Sequence, residues 1–272
     1  MSTFTDKLNA ASARNRSHLV VGLDPQPSLM DVPDVAAFNR TIIEATADLV
    51  CAYKPQMAYF EALGMDGLRA LETTFKAIPA HIPVILDAKR GDIGSTSAAY
   101  ARAVFEVWGA DATTVHPYMG EDSVGPFLEY REKGVFILAR TSNPGARDFE
   151  ELTLRTPTGE RPLYEQVVTK ALEWNDRGNV GLVVGATAPE ELARVRSLAP
   201  NLPLLIPGIG AQGGDLEASV RNGCDARGGG FLINAARSVL YASRGADFAE
   251  AARAEAERLR AGINAELARL GA

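Results

Sequence analysis

The chain has 272 residues, 46% of them hydrophobic and 23% charged, and a net charge of −6. That balance describes a globular protein with a sizeable core, and without any Lys/Arg-rich run it argues against a nucleic-acid partner. Cys51 and Cys224 lie far apart and outside any Cys-x-x-Cys pair, which fits a reducing cytoplasm better than a disulfide framework. Only His18, His81 and His116 are available to a histidine-rich zinc site, so none is expected. Met1 to Ser17 carries Asp6, Lys7, Arg14 and Arg16 with no continuous apolar run, so no signal peptide is expected. No stretch approaches the roughly 20 apolar residues of a membrane span.

Phe4, Leu8 and Ala11 share one helical face after Ser2 and Thr3, which predicts a short first helix. His18 to Asp24 reads as an apolar strand ending in an acid, stopped by the prolines at 25 and 27. Asp34 is expected to cap a helix whose stripe is Phe38, Ile42, Ala45 and Leu49. A second strand runs from Val50 to Pro55, and Leu68, Leu71, Phe75 and Ile78 form the next helical stripe. The third strand, starting at Val84, runs into Asp87, Lys89 and Arg90 and then a glycine-broken turn.

A helix from about Ser95 to Trp108, a strand at 112–115, a helix from about Asp122 to Arg131 and a fifth strand at 135–139 follow. The segment from Thr141 to Pro162 has no clear period and reads as a long loop, functional or lid-like. A helix through Leu163, Val167, Ala171 and Trp174 leads to a strand at 180–185. Then come a helix at 190–198, a strand at 204–206 and a last strand at 229–234. From Asp247 to Leu270 the chain is rich in Ala, Glu and Arg. Its i to i+3 pairs Glu250/Arg253, Glu255/Arg258, Glu257/Arg260 and Glu266/Arg269 suggest a solvated face opposite Phe248, Ala252, Leu259, Ile263 and Leu267.

Short apolar strands alternating with helices argue for parallel strands and right-handed crossovers. Closed, they form an α/β fold of the (β/α)8 barrel type, one domain over 1–272. The competing open doubly wound sheet lacks its Gly-x-Gly-x-x-Gly turn after the first strand.

In such a barrel the C-terminal strand ends gather Asp24, Lys54, Asp87, Lys89 and, just beyond, Asp92. Strand alternation puts Asp87 and Lys89 on one face. Carboxylates on both sides of Lys89 favour its ammonium, making it an acid and not a nucleophile; the plainer alternative is an ion pair closing the barrel mouth. Asp24 reads equally well as a turn cap before proline. Pro207 to Asp215 is a glycine-rich loop after the seventh strand whose N–H groups offer an anion cradle, with Arg237 nearby as a permanent cation. Thr141, Ser142 and Asn143 present polar groups to an uncharged substrate edge, or form an ordinary turn. His116 beside Pro117 is more readily structural than catalytic.

The run Asp87-Ala88-Lys89-Arg90-Gly91-Asp92-Ile93-Gly94-Ser95-Thr96 resembles the Asp-x-Lys-x-x-Asp signature of orotidine 5′-phosphate decarboxylases, in the longer-chain branch of that family. Gly22-Leu23-Asp24, Lys54-Pro55, Ser142 to Gly145, Val184 to Thr187, the 207–215 loop and Asn234 to Ser238 support it. Ala235-Ala236 departs from the glycine that many relatives have before the arginine. The resemblance implies conversion of orotidine 5′-monophosphate to uridine 5′-monophosphate, with Lys89 as proton donor and no metal or organic cofactor.

By the same resemblance Lys54, Asp87, Lys89 and Asp92 form a charged tetrad, Asp24 and Lys54 hold ribose hydroxyls, Ser142 the pyrimidine, and Gln212 with Arg237 the phosphate. Asp92 and Thr96 reach into a neighbouring subunit's site, which implies a cytoplasmic homodimer. A related sugar-phosphate lyase, a Schiff-base aldolase and a non-catalytic barrel that binds phosphorylated ligands are the alternatives.

Overall fold

The computed structural model describes residues 3–157, 159–210 and 212–271. Ser2 at the expected helix start, Thr158 in the long 141–162 segment and Ala211 in the glycine-rich loop lie outside the described residues.

The first helix, Phe4–Asn15, begins with a reciprocal cap. The Thr3 hydroxyl accepts from the Asp6 N–H at 3.1 Å and the Asp6 carboxylate accepts from the Thr3 N–H at 3.0 Å. Strands β1 (Leu19–Leu23), β2 (Ala52–Pro55), β3 (Ile85–Arg90), β4 (Ala112–Val115) and β5 (Gly134–Arg140) follow. After a two-stranded hairpin, β6 (Thr153–Thr156) with β7 (Gly159–Pro162), come β8 (Val180–Val184), β9 (Leu204–Pro207) and β10 (Phe231–Ala235).

All neighbours in the eight-stranded sheet are parallel, in the order β2-β1-β10-β9-β8-β5-β4-β3. The ends meet through the Tyr53/Val84 bridge, with the Tyr53 N–H donating to the Pro83 carbonyl at 3.1 Å. The expected (β/α)8 barrel is therefore present.

Strand alternation sorts the core into two layers. Inside the barrel lie Val20, Ala52, Ile85, Ala112, Phe136, Val183, Leu205 and Leu232. The first helix plugs its lower end with Phe4, whose ring meets Phe136 edge-on at 5.8 Å. Residues of opposite parity, such as Leu19, Val21, Leu86 and Ile137, pack outward under the helices.

Three features depart from the sequence-based expectation. The 141–162 segment is not featureless: it holds a short 3-10 turn at Pro144–Asp148 and the β6–β7 hairpin, in which Thr153 pairs with Pro162. A five-residue helix, Met57–Glu61, precedes Gly64–Ala77, too short to leave a periodic signal. On the final helix, Phe248–Leu270, the pairs Glu255/Arg258 and Glu266/Arg269 form, but Arg253 turns to Asp48 and Glu257, and Arg260 donates to the carbonyls of Asn15 and Asp48. Those arginines tie the helix to its own barrel, where a fork-shaped guanidinium finds fixed acceptors.

The barrel interior leaves little slack at Gly181 on β8. A Cβ there would stand 2.6 Å from the Phe136 ring and 2.9 Å from the Pro203 carbonyl oxygen. Gly181→Ala is expected to lower unfolding free energy by about 1–3 kcal/mol, read as a reduced denaturation midpoint with unchanged slope; an unshifted midpoint would contradict this packing.

Candidate active site

Above the C-terminal ends of the strands lies an open cavity of about 620 Å³, within the usual range for a small organic ligand. Its floor follows from the same alternation that built the core. One step above the interior layer, the inward positions facing the cavity are Lys54, Asp87 and Thr114 on β2 to β4, Leu138 on β5 and Asn234 on β10, while on β8 and β9 the interior-layer residues Val183 and Leu205 themselves form the floor. The floor is therefore charged or polar on β2 to β4 and β10 and apolar on β5, β8 and β9.

Asp87 is the hub of the charged part. Its Oδ2 accepts from Lys54 Nζ at 2.9 Å, and its Oδ1 accepts from Lys89 Nζ at 2.7 Å and from the Thr114 hydroxyl at 2.7 Å. Asp87 and Lys54 are buried, whereas the Lys89 side chain is 46% exposed toward the cavity. Burial alone raises the Asp87 carboxyl, but the ammonium groups of Lys54 and Lys89 outweigh it and hold that group well below the ordinary carboxylate range. For Lys54 burial acts downward, and Asp87 and Asp24 more than reverse it, so its ammonium is held more tightly than usual. Asp24, with no ion pair among the described residues, is pushed up by burial against the pull of Lys54, and its Oδ1 is buried without a hydrogen-bond partner among them. Tyr241 fixes that turn: its hydroxyl donates to the Asp24 carbonyl and accepts from the Gln26 N–H.

The rim is polar. Ser142 donates to Gln212 Oε1 at 2.9 Å, joining the segment after β5 to the loop after β9, and Arg237 stands exposed beside them. Thr141 is anchored by Glu150, which accepts from both its N–H and its hydroxyl. The 207–215 loop turns through Gly208, Gly210 and Gly213, all with positive φ. Two of its amides are already engaged: Gly213 donates to Gly210 and Gly214 to Gly208. The cradle is thus narrower than a run of free N–H groups, and Asp215 uses its side chain to cap the helix Leu216–Gly223.

Asp24, Lys54, Asp87, Lys89, Ser142, Gln212 and Arg237 all line this one cavity. Among the described residues, Asp92 and Thr96 do not. The expectation that Lys89 sits between two carboxylates of its own chain is corrected: within the chain it pairs with Asp87, while Asp92 accepts from the neighbouring Ile93 N–H at 2.7 Å, just ahead of the helix Gly94–Arg102.

The reason is backbone geometry. Lys89 has φ +45°, a left-handed conformation, and the register of β3 against β4 shifts between Leu86 and Arg90. The ladder to β4 is thus irregular toward the C-terminal end of β3 and resumes with Arg90 opposite Val115. His116 lies outside the cavity, its ring so close to Gly91 that a Cβ there would stand 2.6 Å away. Thr114, Gln56, Tyr59 and Asn234 also line the cavity without having been singled out as site residues. For Thr114 and Asn234 the signal was present, since each lies two residues beyond an interior position, Ala112 and Leu232.

Comparison with known proteins gives the same picture over nearly the whole chain. The chain is 54% identical over 267 residues to the orotidine 5′-phosphate decarboxylase of Thermomicrobium roseum, covering 95% of this chain and 94% of that protein. The structure of Leishmania donovani OMP decarboxylase superposes with a TM-score of 0.87 at 45% identity, covering 97% of this chain and 99% of that one. Leishmania donovani UMP synthase matches equally well, at 46% identity and a TM-score of 0.87, and there the similarity spans 97% of this chain and 57% of the longer one. The profile of the orotidine 5′-phosphate decarboxylase / HUMPS family covers residues 17–254, from the start of β1 into the final helix. A lysine–aspartate–lysine array at the strand ends and relatives this similar over nearly their full length lead to one assignment: the chain belongs to the orotidine 5′-phosphate decarboxylase / HUMPS family.

Proposed function

We infer that this chain, acting as one barrel domain, decarboxylates orotidine 5′-monophosphate to uridine 5′-monophosphate and carbon dioxide, with Lys89 as the proton donor. The observation that carries the reading is the Lys54–Asp87–Lys89 array, two ammonium groups on one buried carboxylate at the cavity floor. A substrate carboxylate brought beside Asp87 adds a negative charge where one is already held. When the bond from ring carbon to carboxylate breaks, the electron pair stays on the ring carbon and carbon dioxide leaves uncharged. The Lys89 ammonium then gives its proton to that carbon, and the resulting amine is reprotonated from solvent.

Attraction between the ring anion and one ammonium is about 5 to 6 kcal/mol at an effective dielectric of about 20 and a separation of about 3 Å. Very slow reactions need about 20 kcal/mol or more, so binding of the remote phosphate must also contribute orientation. In this reading Gln212 and Arg237 take the phosphate, Asp24 and Lys54 the ribose hydroxyls, and Ser142 the pyrimidine edge. The unpartnered Asp24 Oδ1 suits a hydroxyl donor.

The position of Asp92 and Thr96 outside their own cavity supports a homodimer in which they complete the partner's site, with Asp92 as the second carboxylate at Lys89. Ile93 next to Asp92, and Tyr118 and Met119 after β4, are exposed apolar side chains suited to that contact. No described helix is long and apolar enough to cross a membrane. Together with two free cysteines this supports a cytoplasmic setting.

The purified protein is expected to consume orotidine 5′-monophosphate at full rate in excess chelator, followed by ultraviolet absorbance. Loss of activity on chelation would favour a metal-assisted lyase, and a borohydride-trapped adduct on Lys89 an aldolase. Two inactive variants, Lys89→Ala and Asp92→Ala, are expected to regain activity when unfolded and refolded together, because about a quarter of the sites then draw every group from an unaltered position. Mixtures that stay inactive would contradict the shared site.

Because the Asp87 carboxyl is held below its unfolded value of about 3.9, its contribution to stability is complete above that pH and is lost as pH falls toward the folded value. The stability difference between wild type and Asp87→Asn is therefore expected to shrink below about pH 4, measured by denaturant titration; a difference independent of pH would contradict the ion pairing.

A further inference from the structure

We propose that Thr114 is a positioning residue of the decarboxylation, one hydroxyl that fixes Asp87 and the backbone of Lys89 together. The proposal rests on the reading of Lys89 as proton donor. Left-handed backbone is uncommon for a residue with a side chain and persists only where its surroundings hold it. At Lys89 the ladder to β4 is interrupted, and its N–H donates instead to Thr114 Oγ1 at 3.0 Å. A threonine hydroxyl has a single proton, and here it goes to Asp87 Oδ1 at 2.7 Å. The same oxygen therefore accepts from the main chain of the proton donor and donates to the carboxylate that pairs with its ammonium. With Thr114 1% exposed, water does not readily take over either bond.

The arrangement closes a ring: Lys89 N–H to Thr114, Thr114 to Asp87, and Lys89 Nζ to Asp87 at 2.7 Å. Removing the hydroxyl opens it twice. Lys89 loses the partner that replaces its ladder bond, and Asp87 loses the one donor on Oδ1 that does not belong to the reacting lysine.

Thr113 supplies a control built into the same strand. It is equally buried and its hydroxyl donates to the Leu86 carbonyl at 2.8 Å, also on β3, whereas the side-chain hydrogen bonds among the described residues to Asp87 and Lys89 come from Lys54, Thr114 and the pair itself. If buried threonine hydroxyls here serve only the sheet, the two positions behave alike.

The test compares Thr114→Val, Thr114→Ala, Thr114→Ser and Thr113→Val in steady-state kinetics and thermal unfolding. Loss of a hydrogen bond to a charged group predicts that Thr114→Val and Thr114→Ala lower kcat by roughly ten- to a hundredfold, with KM nearly unchanged. Thr114→Ser is expected to restore most of the rate, and Thr113→Val to lose thermal stability while keeping its kcat. Should either folded hydroxyl-free variant at 114 keep wild-type kcat, or should Thr113→Val lose kcat to the same degree, the proposal is overturned. A wild-type protein without decarboxylase activity would instead overturn the functional reading beneath it.

Discussion

The structure depends on one buried carboxylate. Asp87 sits on the inner face of β3 with an ammonium on each oxygen and a hydroxyl as third donor. Removing either lysine leaves charge buried with less compensation, a change that costs a few kcal/mol in a protein interior. Such an array is an expensive way to close a barrel mouth, where apolar side chains would serve as well. Its worth lies in holding Lys89, half exposed, at the edge of an open cavity.

The barrel supplies the setting through parity alone. Positions that face inward make an apolar core below and a cavity floor above, and on β2 to β5 and β10 the change from one to the other happens within two residues. On β3 that step is Ile85 to Asp87, and on β4 Ala112 to Thr114. On β5, β8 and β9 the floor stays apolar, with Leu138, Val183 and Leu205. A ligand with a charged reacting edge and an apolar body matches that contrast.

Much of this was legible in the sequence because the strands are short, apolar and regularly interrupted. The interval from Ala112 to Val115 was read at the bounds the structure shows, and Asp34 caps its helix as expected. Asp24, Lys54, Asp87 and Lys89 were placed together from strand ends alone. What could not be read was local backbone geometry. Nothing in the letters of Asp87 to Asp92 announces a left-handed lysine: alternation puts Lys89 on one face with Asp87, as found, but nearness in sequence just past the strand puts Asp92 beside it too, whereas Asp92 accepts from the Ile93 N–H. Hairpin β6–β7 was missed because its four-residue strands are largely exposed and carry no apolar stripe. Thr114 was overlooked for a different reason: a threonine in a strand looks like packing until its hydrogen bonds are seen.

The account turns on the charge of the Lys89 side chain. Decarboxylation by Lys89→Ala, measured with and without a short alkylammonium added to fill the vacated space, tests it most directly. Turnover is expected to be lost in the variant, with uridine 5′-monophosphate still bound, and to return in part with the added cation but not with an uncharged molecule of the same size. Near-normal turnover by Lys89→Ala alone, or equal rescue by the uncharged molecule, would contradict the claim that an ammonium held by Asp87 stabilises and protonates the ring carbon as carbon dioxide leaves.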